Sequence, residues 1–424
     1  MINVEKILKE NKSLDGYRIN TSKTTSYENF YVKGKLETVR ATETEDVNAT
    51  VYTSHDGKTG VSSFNVPHSM DENGLRTAAE KAAHRANLVF NEKFPLAEAG
   101  EVSREIHSDV KNYAPEVLSE KIANAVFSCE TGEEGKINAL EIFIYKHENS
   151  VVNSNGVNKS ETKYSVMVEA IPTWNEKDES VELYEAIHFT SFDEDKLKAE
   201  IAEKMREVRD RKHAVLPDEK KFDFILFRKK EIAELLDNLA GDFNYRTVYS
   251  RSNVFKKGDL LQNNPTGDKL TITMQAEADG CRYSALFDAD GVTLKDKTVV
   301  KDGKVVSYYG GNRFGSYLKE EITGELSCIV VEKGSLTDSD LSGKKYLECV
   351  SLSGLQVDLF NDYIGGEIRL AYMHKGDEVV PVTGIAFSGK LSDALSTMRL
   401  SASVDVEENY VGPDMMTVEK MNVV

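Results

Sequence analysis

Segments with helical spacing stop at Ala240 in a chain of 424 residues; beyond that point apolar residues come in short runs cut by Gly and Asp. Such a pattern predicts helices laid on an antiparallel sheet followed by a β-rich part, an α+β protein in two lobes rather than an alternating α/β one. In the first half, Val47, Ala49 and Val51 alternate with polar residues, His55-Asp-Gly-Lys58 supplies a turn and Val61 to Val66 returns, the pattern of a hairpin. Ser69-x-x-Glu72 reads as a capping box opening a helix in which Leu75, Ala78, Ala79, Ala82, Ala83, Ala86 and Val89 recur at helical spacing. Pro115 opens a second helix, which carries Leu118, Ile122, Ala125 and Cys129 inward. Strands follow at Ile137 to Tyr145, Tyr164 to Ile171 and Val181 to Thr190. Ser191-x-x-Glu194 then caps a charged helix with Leu197, Ile201, Met205 and Val208 on its apolar face.

That helix runs out at Lys212-His-Ala-Val-Leu-Pro217, which places a boundary near Ala214, between an N-terminal α+β domain, 1–214, and a C-terminal β-rich domain, 215–424. The second domain begins with a strand at Phe222 to Phe227 and has one helix, Lys229 to Ala240. Gly310-Gly-Asn-Arg-Phe-Gly315 reads as a turn. No repeat of fixed period is visible, so a solenoid or propeller is not expected.

Charge narrows the partners. Lys and Arg number 53 against 71 Asp and Glu, a net charge of −18, so a polyanion meets repulsion over most of the surface and nucleic acid is not an expected ligand. The short basic runs Arg209-Asp-Arg-Lys212 and Arg228-Lys-Lys230 read as solvated helix ends. Four cysteines, Cys129, Cys281, Cys328 and Cys349, show no CxxC spacing. The first residues lack a leader's apolar core, and no apolar run approaches the ~20 residues that span a bilayer. A cytoplasmic protein with no membrane segment is the expectation.

Local catalytic signatures are missing. None of the eight histidines pairs at i,i+3 or i,i+4, and there is no G-x-S-x-G elbow, P-loop or G-x-G-x-x-G. Glu231, Glu234 and Asp237 stand three apart on the helix and read as a solvated face.

The order of weaker features is more informative. Val47-Asn-Ala-Thr-Val-Tyr, Asp56-Gly-Lys-Thr-Gly60 with the Ala-rich helix, and Asn153-Ser-Asn-Gly156 precede a second series. That series is Gly241-Asp-Phe-Asn244, Phe287-Asp-Ala-Asp-Gly-Val292, Val299-Val-Lys-Asp-Gly-Lys304, Asn361-Asp-Tyr-Ile-Gly-Gly366, Pro381-Val382 and Phe387-Ser-Gly-Lys-Leu391. Taken in order, they resemble the signatures of the TldD/PmbA proteins, once called modulators of DNA gyrase, over almost the whole chain.

TldD-like members carry HExxxH on the helix before the "GDFN" segment, two histidines for zinc and a glutamate as general base. The matching positions here are about Ile232, Ala233 and Asp237, and the family's later cysteine falls near Val411-Gly412. The chain therefore resembles the PmbA, or TldE, branch. The resemblance implies a metal-free, non-catalytic subunit, with no cofactor of its own and zinc in a TldD-like partner, in a cytoplasmic peptidase acting on unfolded or leader peptides. It also implies a homodimer when the chain is isolated. Family-pattern positions in a cleft are Asp237, Gly241, Asp242, Asn244, Asp362, Tyr363 and Gly365, residue types that equally suit turns and helix caps. Two alternatives stay open: a stand-alone hydrolase, with Cys281, Asp237 or Asp242 as its first suspects, and a regulatory binding protein without enzymatic activity.

Overall fold

The computed structural model describes residues 3–424; Met1 and Ile2, part of the N-terminus read above as leaderless, lie outside the described residues. The first half is dominated by a nine-stranded sheet of β1 (Gly16–Val32), β2 (Lys35–His55), β3 (Lys58–Asn65), β4 (Phe90–Glu92), β5 (Gly100–Glu105), β6 (Gly135–Asn153), β7 (Val157–Glu176), β8 (Glu179–Glu182) and β9 (Glu185–Phe189). Its order is β4-β3-β2-β1-β6-β7-β5, with β8 and β9 also pairing β7. Two long antiparallel hairpins, β1/β2 and β6/β7, form its centre. Asp56 and Gly57 both hold positive φ in the turn after β2, as a tight two-residue connection requires.

Strand alternation sorts this sheet into two faces. Helices α1 (Val4–Glu10), α2 (Glu72–Ala86), α3 (Pro115–Phe127) and α4 (Glu194–His213) cover one of them. Leu118, Ile122, Leu197, Ile201 and Met205 pack on Leu140, Ile142, Val166 and Val168, while Leu8, Ala79 and Ala82 pack on Ile19, Ala49 and Val51. Burying some dozen side chains of this size supplies roughly 1.5–3 kcal/mol each before entropy is counted. On the opposite face Val151 and Val157 meet Leu286 and Phe287 of the second half. The join is close: a Cβ on Gly291, which has φ +85°, would stand 2.9 Å from Val157.

The second half contains β10 (Phe224–Arg228), α5 (Lys229–Asp242), α6 (Tyr245–Tyr249), β11 (Ile272–Gln275), β12 (Lys297–Lys301), β13 (Lys304–Val305), α7 (Asn312–Leu318), β14 (Cys328–Val331) and α8 (Asp338–Leu341). There follow β15 (Lys345–Asp358), β16 (Tyr363–Lys375), β17 (Glu378–Val382), β18 (Ile385–Lys390), α9 (Leu391–Thr397), β19 (Arg399–Leu400), β20 (Val404–Glu407), β21 (Tyr410–Pro413), β22 (Met415–Val418) and β23 (Asn422–Val423). These strands make an eight-stranded sheet, β19-β22-β10-β15-β16-β18-β23 with β17 on β16, and a six-stranded sheet, β13-β12-β11-β14-β21-β20. Helix α5 touches strands of both and buries Ile232, Leu235, Leu236 and Leu239 completely in their shared core.

Several local expectations are corrected. The N-caps of α2 and α4 are Asp71 and Asp193, which accept from Gly74 N and Lys196 N, rather than Ser69 and Ser191. Cys129 lies beyond the C-cap of α3 and is only partly buried. The strand expected at Val181 to Thr190 is two, β8 and β9. The Gly310–Gly315 segment opens helix α7, and four helices follow α5 where the sequence suggests none. Glu231 is buried rather than solvated, and Arg228 and Lys229 are clasped by carboxylates from the N-terminal lobe instead of facing solvent.

Candidate functional site

Helix α5 forms because β10 ends at Arg228 and apolar residues then recur at helical spacing; its outer side at the C-terminal end is where the family-pattern residues begin. Asp242, its last residue, is 4% exposed and accepts from Val254 N at 2.7 Å and Phe255 N at 2.9 Å. Burial pushes its carboxyl up in spite of those two donors. Asn244 caps α6 by accepting from Arg246 N and donates its amide to Glu325 at 2.8 Å. Gly241 is exposed, and its carbonyl accepts from the Thr247 hydroxyl. These three residues therefore shape the turn that leads chain into α6.

Asp237 points outward. It accepts from Asn409 Nδ2 at 2.9 Å and lines a cavity of about 460 Å³ with Arg282, Tyr283, Tyr309, Ser327, Ile329 and Asn409. Tyr309 is 6% exposed, and burial followed by the nearby Glu325 raises its phenol. Arg282 stacks over Tyr283 and meets Glu408 at 2.7 Å. Glu408 also meets His188 of β9 at 2.7 Å, and that hydrogen bond, with burial opposing, holds its carboxyl down. The cavity wall is thereby tied to the N-terminal lobe.

Asp362, Tyr363 and Gly365 lie elsewhere, where β15 turns into β16, and line neither this cavity nor the one between the lobes. Asp362 accepts from Ser392 N at 2.6 Å and from its hydroxyl at 2.7 Å, fastening the start of α9. A Cβ on Gly365 would strike the Tyr363 hydroxyl and stand 2.9 Å from the Phe387 carbonyl oxygen. Their observed roles are in the turn and in strand packing.

The residues around Asp237 do not fit a resident zinc. Ile232 and Ala233, at the matching ligand and base positions, are 0% and 7% exposed within the apolar core. Val411 and Gly412 stand on β21 without a thiol. Among the described residues, no three His, Cys, Asp or Glu side chains converge as a metal site. The stand-alone suspects are engaged as well: Cys281 is buried with its Sγ 2.8 Å from that of Cys328, whose hydrogen bond lowers the Cys281 thiol, and the Asp242 carboxylate is taken up by backbone N–H groups. Arg282, Tyr309, Ser327 and Asn409 were not legible as a group, because strands distant in sequence bring them together.

Residues 221–424 match the family model described as the PmbA/TldA metallopeptidase C-terminal domain. By this domain, the second half of the chain belongs to the TldD/PmbA family. The matched segment contains α5, the Asp237 cavity and both C-terminal sheets of the TldD/PmbA domain. Across the whole chain the fold is that of TldE from Thermococcus kodakarensis, with a TM-score of 0.82, 15% identity and 100% of this chain and 99% of that one covered. It is also that of a protein described as a modulator of a DNA gyrase from Thermotoga maritima, with a TM-score of 0.79, 14% identity and 96% of each chain covered. A protein of similar description from Bacteroides thetaiotaomicron gives 0.78 and 13%, covering 99% of this chain and 97% of that one. No curated protein matches in sequence. Among the described residues, no helix is long and apolar enough to cross a membrane.

Proposed function

We propose that this chain is the non-catalytic, metal-free subunit of a TldD–TldE-type metallopeptidase that acts in the cytoplasm on unfolded or leader peptides. The observation that carries this reading is the burial of Ile232 and Ala233: the helix face that would hold ligand and base is spent on the core. The zinc of a TldD-like partner would supply Lewis-acid activation of water. This chain's part is to hold substrate. The Asn409 amide, Ser327 hydroxyl and Arg282 guanidinium stand beside one another around Asp237, donors and acceptors suited to an extended main chain.

The isolated chain pairs with itself in this reading. Strand β3 covers Asn48 to His55 of β2 and Val66 N adds a hydrogen bond to the Val47 carbonyl, so the stretch from Lys35 to Asp46 is an open edge carrying Leu36 and Val39, each 49% exposed. An open edge of this length is a template for a second strand. The test is cleavage of an unfolded peptide by this chain alone, by a TldD-like subunit alone and by the mixture, with and without chelator. Chelator-sensitive cleavage that needs the mixture supports the reading; chelator-resistant cleavage by this chain alone overturns it.

A further inference from the structure

A second cavity, of about 580 Å³, lies between the lobes at the other end of α5. Strand β9 and helix α4 form one wall; the first turn of α5 with β15, β20 and the start of β22 forms the other. Ten Asp and Glu residues line it against five Lys and Arg. The inner cations are already committed. Lys204 contacts Glu185 and Glu207, Arg228 contacts Glu203, Glu207 and Glu348, and Lys229 contacts Glu200, Asp405 and, at 3.7 Å, Glu407.

Glu231 stands out against this background. It lines the cavity, is 5% exposed, and receives no hydrogen bond beyond its own backbone N–H among the described residues. A carboxylate this buried ordinarily has a hydrogen-bonded side-chain partner, and among the described residues Glu231 has none, although Lys230, Lys204 and Arg228 stand close enough to favour its charge. Ile187, Leu197, Val350 and Met415 give the same cavity apolar walls. The carboxylates do not converge as a compact metal site, so the missing charge suits a cation with its donors spread along a chain.

We infer that the inter-lobe cavity binds a small alkylammonium ligand, its hydrocarbon on Ile187, Leu197 and Met415 and an ammonium group hydrogen-bonded to Glu231. Burial raises Glu231 to about 7 and also raises Glu407 on the same wall in spite of Lys229 at 3.7 Å, so both carboxyl groups stand to gain from a further positive charge. The inference is independent of the subunit reading, since it concerns the isolated chain without peptide or partner.

The experiment is calorimetric titration of the full chain with spermidine at pH 8. Saturable binding near one equivalent is expected, weakened tenfold or more in Glu231→Gln and unchanged in Glu37→Gln, which alters an exposed carboxylate on the distant hairpin. Met415→Lys, which places an ammonium group in the cavity, is expected to abolish binding and keeps the test decisive if the Gln variant does not fold. Non-saturable heats, equal weakening by Glu37→Gln, or wild-type affinity in Glu231→Gln or Met415→Lys would overturn the inference.

Discussion

The two ends of α5 carry one acidic side chain each toward a cavity, and the two sites differ in kind. Asp237 is exposed, held by one amide, and faces a polar hollow within the TldD/PmbA domain; Glu231 is sealed between the lobes without a hydrogen-bond partner from another residue among those described. Six residues on an α-helix place them about 9 Å apart along the axis and about 120° apart around it, so one faces outward and the other inward. Equal spacing on a helix does not make equal carboxylates. What is packed over each one decides whether it remains a solvated acceptor or becomes a strained buried acid.

The largest expected effect lies at the inner end. Arg228→Ala strips the shared cation from Glu203, Glu207 and Glu348, and urea unfolding should show a loss of about 3–5 kcal/mol. An unchanged midpoint would show that the inter-lobe charges do not act as a unit. Ile232→His tests the vacant ligand position next: an imidazole in a fully buried apolar site should cost about 3 kcal/mol and create no zinc binding. Tight zinc binding by that variant would break the contrast between the ends of the helix.

Glu231→Gln has the opposite sign. Burial holds the folded carboxyl at about 7 against a reference of 4.5, so the folded state binds more protons and stability falls as pH rises from about 4.5 to about 7, then levels. The Gln variant should match wild type below pH 4.5 and exceed it above pH 7 by up to about 3 kcal/mol. Unfolding curves that run parallel at every pH would contradict the assignment. Asp237→Asn is the smallest: it alters one exposed hydrogen bond, so stability should move by less than about 0.5 kcal/mol. In the mixed peptidase, however, it should raise the KM for peptide severalfold; unchanged kinetics would remove Asp237 from the substrate surface.

The legible parts of the fold were those where local rules and packing agree. Helix α5, expected over Lys229 to Ala240, runs only two residues further, and α3 begins at Pro115 as read. Helix α7 was missed because its glycines suit a turn, whereas Gly315 lies against Tyr245 and Ile322, where a side chain would crowd. The seventeen residues of β1 escaped because much of the strand alternates polar residues on both faces and is held by pairing to β2 and β6 rather than by apolar content. Caps slipped by two residues where Asp71 and Asp193 lie closer to the first turn than the serines. Of the positions that the family resemblance supplied, Asp237 lines the cavity, whereas Asp242 and Asn244 hold the turn into α6. Arg282, Ser327 and Asn409 depend on sheet pairings that no local pattern encodes.

The central claim is that this chain contributes no metal to the peptidase. Elemental analysis of purified protein, alone and after mixing with a TldD-like subunit and repurifying the complex, tests it most directly. The account predicts no stoichiometric zinc in the isolated chain and one zinc per pair in the complex. About one tightly held zinc in the isolated chain would contradict it.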